Sequence, residues 1–226
     1  MDVARYPDVD VVVELIGGTT VAHELVKLAI ERGKLVVTAN KALIAEHGNQ
    51  LLALAEASGV HLCFEAAVAG GIPVIKSLRE ALAGNVVSEV AGIINGTGNF
   101  ILTEMSNKGR AFEDVLSEAQ SLGYAEADPT FDIDGTDAAH KLVILASLAF
   151  GVPLSIDAPA KEGIQNITPE DLDYAKALGY RVKHLGIARR SGSRIEMRVH
   201  PTLIPESKQL AGVDGVLNAI MLKADA

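Results

Sequence analysis

Residues 9–18 read V-D-V-V-V-E-L-I-G-G, and this run decides the fold. Its valines favour an extended strand, and the paired glycines stop that strand in a tight turn. A helical pattern follows through about Arg32 and closes at Gly33. A second strand, K-L-V-V-T-A-N at 34–40, leads into a helical stretch from Ala42 to Ser58, and a third apolar strand covers 60–64. Apolar strands alternating with helices predict a parallel sheet covered on both sides. Ligands of such sheets bind at the carboxyl ends of strands. Gly17-Gly18 and Asn40-Lys41 lie at such ends. No G-x-G-x-x-G phosphate turn occurs; Gly96-Thr97-Gly98 is only a fragment of that pattern.

After Pro73 the character changes. A helix at about 73–82 leads to a strand at 86–95, then to helices at about 97–107 and 111–122. An acidic loop and a buried helix follow. Thr168-Pro169-Glu170-Asp171 is a helix start, with a capping threonine, a first-turn proline and acids against the dipole. Alternating strands are expected at about 180–190, 194–204 and 214–223. With no repeat and no low-complexity linker, the boundary is placed in 65–71, giving parts of residues 1–66 and 67–226.

Composition narrows the function. The 226 residues carry a formal charge of -9, no basic run and no tryptophan, which argues against a nucleic-acid surface. A small-molecule ligand is expected. Cys63 is the only cysteine, so an intrachain disulfide is excluded and a reducing, cytoplasmic setting fits. Its apolar strand is expected to bury and quieten the thiol. The N-terminus lacks the basic and apolar regions of a signal peptide. The longest apolar stretch, 142–156, is broken by Gly151 and Pro153 and too short to span a bilayer.

The densest chemistry is at 132–141, D-I-D-G-T-D-A-A-H-K, directly before the apolar run L-V-I-L-A-S-L-A-F. At about 100° per residue, Lys141 and Ile144 fall within about 40° and 20° of Asp137, so acid, lysine and aliphatics share one stripe. A helix apolar all round is buried, and the Lys141 ammonium is expected at a partly enclosed site. Balanced between desolvation and the Asp137 carboxylate, it can exchange a proton with a bound substrate. The same spacing also suits an exposed Asp137–Lys141 surface pair, with Asp134 as cap. Glu126, Asp128 and Asp132 add carboxylates that repel one another unless cations sit among them. His140 faces about 100° away from Lys141, which suits a packed structural role.

G-Y-A-E-A-D-P-T-F-D-I-D-G-T-D-A-A-H-K (123–141) closely resembles the signature region of homoserine dehydrogenase. E-L-I-G-G (14–18), T-A-N-K (38–41), E-A-A-V-A-G-G-I-P-V-I (65–75) and N-G-T-G-N-F (95–100) resemble the same family in the same order. The resemblance implies an α/β fold: a partial Rossmann-type parallel sheet, followed by an α+β substrate and dimerisation domain with a mixed sheet. It implies NADP- or NAD-dependent interconversion of L-aspartate 4-semialdehyde and L-homoserine, in threonine, methionine and isoleucine biosynthesis. Lys141 is then the proton donor, and Glu126, Asp137 and Asp132 hold the substrate with Gly96 and Thr97. Lys41 sits where cofactor and substrate meet, and Gly17, Gly18 and Gly123 touch the cofactor. Glu65, Val68, Gly70 and Ile72 are implied ligands of a sodium or potassium ion, and a homodimer through the late strands is implied as well.

Family chains carry a first βαβ unit, with its glycine-rich turn, ahead of E-L-I-G-G, and they continue beyond the last strand. The expectation is therefore a fragment, incomplete for the adenosine and pyrophosphate of the cofactor and poor in turnover by itself. The alternative reading is a non-catalytic substrate-binding and dimerisation module. Another dehydrogenase of similar build, acting on a different aldehyde or imine, is a third possibility.

Overall fold

The structure, a computed structural model, describes residues 1–225 and divides into two compact units. The first comprises 1–85 and 143–156; the second comprises 86–142 and the chain from 157 onward. Among the described residues no helix is long and apolar enough to cross a membrane.

The first unit opens with a short helix, α1 (Asp2–Arg5), and continues β1 (Val11–Glu14), α2 (Val21–Glu31), β2 (Leu35–Thr38), α3 (Lys41–Ala57) and β3 (Leu62–Cys63). The three strands pair in parallel in the order β1-β2-β3, with Val12 opposite Val36 and Val36 opposite Leu62. A helix α4 (Val74–Lys76) runs into a π-helical turn at Ser77–Ala81. The buried Lys34 ammonium holds the carbonyls of Tyr6 (2.7 Å) and Val9, tying the N-terminal segment to the start of β2.

The strands are not covered on both sides: Val12 and Glu14 are buried, whereas Val11 and Val13 are exposed. Both crossovers progress in the same direction across the sheet, so α2 and α3 pack together on one face and leave the other bare. Cys63 pairs with Val37, which pairs with Val13, on that bare side. Its thiol is therefore exposed, not buried, while Leu62 and Phe64 point inward. The apolar run V-H-L-C-F hid a period of two.

The second unit contains β4 (Val87–Ile93), α5 (Gly96–Lys108), α6 (Phe112–Ser121) and a four-residue helix α7 (Thr130–Ile133) within the acidic loop. Then come α8 (Thr136–Phe150), β5 (Ala160–Lys161), α9 (Pro169–Ala177), β6 (Tyr180–Ser191), β7 (Arg194–Pro205) and β8 (Ala219–Ala224). Leu142 of α8 is the last residue counted with this unit before the chain enters the first. The strand order is β5-β7-β6-β4-β8; only the β5–β7 pairing is parallel, so the sheet is mixed. Residues 214–218, expected as strand, form a connection ahead of β8. Ile101, Leu102 and Met105 of α5 pack with Phe112, Val115, Ile164 and Leu172 in one core. Ala91, Ile93, Leu185, Ile187 and Ile204 form a second. Helix α9 starts with the capping box read from T-P-E-D: Thr168 and Asp171 exchange side-chain and backbone hydrogen bonds.

Gly92 sits where β4 meets β8, and a Cβ there would stand 2.6 Å from the Ala219 carbonyl oxygen, a backbone atom that cannot rotate away. Gly92→Ala in the full-length protein is expected to cost about 1–3 kcal/mol by overpacking. A shift of the chemical denaturation midpoint to lower denaturant checks this; an unchanged midpoint contradicts the close strand approach.

Candidate active site

The second unit carries a pocket of about 210 Å³ lined by Asn95, Gly96, Thr97, Tyr124, Asp132, Asp137, Lys141 and Val216. It suits a small molecule far better than a dinucleotide. Four segments build it: the turn from β4 into α5, the acidic loop, the first two turns of α8, and the connection ahead of β8 that brings Val216.

Asp137 is buried on the first turn of α8, where the helix dipole favours a carboxylate. Its Oδ2 accepts from the Lys141 Nζ at 2.6 Å, one turn on. The pair is not the exposed surface bridge that the spacing also allowed: the aspartate side chain is 4% exposed and the lysine 17%. Lys141 also donates to the Ile94 carbonyl (2.8 Å) at the end of β4. An ammonium has three donors, so one N–H remains for a further acceptor.

Asn95 is the residue that sequence reading passed over. Its Oδ1 accepts from the Gly98 N–H (2.7 Å) and caps α5. Its Nδ2 donates to Asp132 Oδ1 (2.7 Å) and to Asp137 Oδ2 (2.9 Å), bridging two carboxylates that would otherwise repel. The only signal in sequence was an asparagine before a helix, which caps alone explain. Thr97 donates its hydroxyl to the Tyr124 carbonyl (2.5 Å), fixing the acidic loop against α5.

The other acids divide. Asp134 accepts from the Thr136 N–H (2.8 Å) and hydroxyl (2.9 Å), so it shapes the entry to α8. The Asp128 carboxyl is held below its usual range by hydrogen bonds from the Thr130 hydroxyl and backbone. Glu126 is exposed, and its side chain is not part of the pocket lining. Gly123 follows α6 with φ +76°, the conformation of a helix-ending glycine. His140 is buried edge-on against Phe131, with ring centroids 5.2 Å apart.

The first unit holds the remaining candidates at its strand ends. Glu14, fully buried, accepts from the Ile16 (2.8 Å) and Gly17 (3.1 Å) N–H groups and from the Thr38 hydroxyl (2.6 Å). Asn40 caps α3 and donates from Nδ2 to the Gly18 carbonyl (2.7 Å). Gly17 and Gly18 have φ near +70°, and the space where their side chains would stand is open. Lys41 is the first residue of α3. In the 65–75 turn, Glu65 accepts from the Ile75 (2.8 Å) and Lys76 (2.9 Å) N–H groups, and Ala69 and Gly70 both adopt positive φ.

With this geometry established, comparison with known proteins identifies the lineage. The family model described as homoserine dehydrogenase matches residues 73–226, and that of the homoserine dehydrogenase NAD binding domain matches residues 1–65. The chain belongs to the homoserine dehydrogenase family. It is 66% identical to a homoserine dehydrogenase of Pseudomonas aeruginosa over 225 residues, covering all of this chain and 52% of that protein. The Neisseria gonorrhoeae homoserine dehydrogenase is 62% identical, with 96% of this chain and 50% of that protein covered. The chain thus spans about half the length of the curated relatives it matches. Among solved structures, a Thiobacillus denitrificans homoserine dehydrogenase superposes with a TM-score of 0.97 at 61% identity, covering 99% of this chain and 52% of that one. A hyperthermophilic archaeal homoserine dehydrogenase in complex with NADPH gives 0.82 at 31% identity, covering 96% and 62%.

Asn95→Asp in the full-length protein separates capping from bridging. Aspartate caps α5 equally well but removes two donors and places a third carboxylate between Asp132 and Asp137. That crowded carboxyl has its folded-state pKa raised, so the cost is full at pH 7 and shrinks as pH falls toward the unfolded value. A loss of about 1–3 kcal/mol at pH 7 and less at pH 5 is expected. Denaturation at both pH values measures it, and equal losses would refute the bridging role.

Proposed function

We propose that this chain is the catalytic part of an NAD(P)-dependent homoserine dehydrogenase, interconverting L-aspartate 4-semialdehyde and L-homoserine. The buried Asp137–Lys141 pair, with a donor left over at the mouth of a small acidic pocket, carries the reading. Family membership and the named function of relatives at 66% and 62% identity support it, and the non-catalytic module is not favoured.

The substrate's ammonium is matched by Asp132 and Asp137, and Glu126 on the exposed acidic loop is assigned to the same substrate. Its carboxylate sits at the start of α5, against the Gly96 and Thr97 N–H groups. When bound, the nicotinamide dinucleotide supplies or accepts the hydride. As the aldehyde oxygen gains negative charge, the Lys141 ammonium gives it a proton; in oxidation the same amine takes the hydroxyl proton. Asp137 stabilises the charged lysine, and the Ile94 carbonyl holds its direction.

Gly17 and Gly18 fit the cofactor, because bare backbone at a strand end admits a ring or ribose. Lys41 is assigned between cofactor and substrate, and Gly123 to the cofactor. The neutral carbonyls of Val68, Gly70 and Ile72, with the single Glu65 carboxylate, form a hard oxygen donor set suited to sodium or potassium. There such an ion would hold the turn by charge. In this reading residues 1–66 serve the cofactor, and 67–226 serve substrate binding and dimerisation. A homodimer is supported by an apolar groove of about 630 Å³ on the second sheet, lined in part by Ala91, Leu185, Ile187, Ile204 and Met221. The setting is cytoplasmic, with neither membrane nor nucleic acid as partner.

Lys141→Ala in the full-length protein tests the assignment by NADP-linked oxidation of L-homoserine. A loss of about 10²–10⁴-fold in turnover is expected from removing a general acid–base group. Undiminished turnover would remove the mechanism; an inactive parent would remove the function.

A further inference from the structure

A second lysine is more deeply buried than the proposed proton donor, and the reaction does not use it. Lys183 lies on β6 with its side chain 2% exposed. Its ammonium donates to the Val213 carbonyl (2.5 Å), Asp214 Oδ1 (2.9 Å) and Asn99 Oδ1 (3.2 Å). The Asn99 amide in turn donates to three alternate carbonyls of one turn: Val213 (3.1 Å), Gly215 (2.9 Å) and Leu217 (3.3 Å). Thr103, one helical turn beyond Asn99, accepts from the Gly215 N–H (3.2 Å) and donates to the Asn99 carbonyl. Arg181, two residues before Lys183 on the same strand, also reaches Asp214 Oδ1 at 3.3 Å. The inner carbonyls of 213–217 thus converge on an ammonium and an amide, as the ligands of a bound cation would.

The other side of this turn is a wall of the pocket. Val216 lines it beside Gly96 and Thr97, and a Cβ on Gly96 would stand 2.8 Å from the Val216 carbonyl oxygen. We infer that the Lys183 ammonium is a tethered internal cation that fixes the 213–217 turn against the first turn of α5. Lys183 is thereby a positioning residue for the amino-acid substrate. The inference rests on the function proposed above.

Stability does not explain the lysine. Burial pulls its pKa below the usual lysine value, and the hydrogen bond and charge of Asp214 only partly restore it. Replacing buried ionic groups by apolar ones of similar volume is often neutral or stabilising. A methionine would fill the same space, so what the ammonium adds, beside the hold of Asn99 and Thr103, is its own grip on the Val213 carbonyl and the Asp214 carboxylate.

The test uses the full-length protein with Lys183→Met, and Asp214→Asn as a second variant that loosens the same hold from its half-exposed end. Expected for both are a KM for L-homoserine raised about five- to thirty-fold, the equivalent of a modest lost interaction, with the KM for NADP nearly unchanged. The thermal midpoint stays nearly unchanged in Lys183→Met, where the half-exposed Asp214 keeps Arg181, and falls in Asp214→Asn, which leaves a buried ammonium without its carboxylate. Hydrogen exchange of the 213–217 amides should quicken, and Lys183→Arg should recover part of the KM. A lowered midpoint with unchanged KM, or unchanged exchange in both variants, would overturn the proposal. If the parent does not oxidise homoserine, the proposed function fails, and hydrogen exchange still decides whether Lys183 holds the turn.

Discussion

The contact on which the second unit depends is the one between the Asp137 carboxylate and the Lys141 ammonium at 2.6 Å. Neither charge would be tolerated alone beside Leu142, Ile144 and Leu145, because an unpaired buried ion costs several kcal/mol. Pairing makes them compatible, and the pair then recruits its surroundings. The Ile94 carbonyl fixes the lysine to the end of β4, and the Asn95 amide fixes the aspartate to the start of α5. Sheet, capped helix and buried helix are joined through four polar groups. Their geometry leaves a small opening lined by the Asp132 and Asp137 carboxylates.

Asparagines do similar work in both units. Asn40 and Asn95 each follow a strand and cap the next helix with Oδ1, while Nδ2 reaches a neighbouring loop. One side chain thus sets both the helix start and the position of the facing segment. A serine or threonine cap has no second arm of that kind. Glu14 applies the same economy with a carboxylate, gathering two backbone amides and the Thr38 hydroxyl beneath the Gly17-Gly18 turn.

Much of this was legible in the sequence, and what was not has physical reasons. The β-branched run at 11–14, the glycine stops and the T-P-E-D start define their elements because each signal is local. Asp137 and Lys141 were legible because a helix places residues four apart on one face and the following run is apolar throughout. Asn95, Asn99 and Lys183 were not, since their roles lie in partners 30 to 118 residues away. An asparagine before a helix reads as a cap whatever else it holds. A lysine in an alternating strand reads as an outward residue, and Lys183 is buried because Asp214, the Val213 carbonyl and the Asn99 amide oxygen meet it. Cys63 was misread for the opposite reason: its neighbours are apolar, but the sheet shows them alternate faces.

The three-stranded sheet has a further consequence. Among the described residues β1 pairs on only one side, and Val11 and Val13 are bare on the face opposite α2. Such a margin presents unsatisfied amides and carbonyls beside greasy side chains, which is the template on which strands of separate molecules zip together. A margin of this kind carries its own adhesive. Clumping of an isolated preparation would report that unguarded rim rather than a misfolded catalytic pocket.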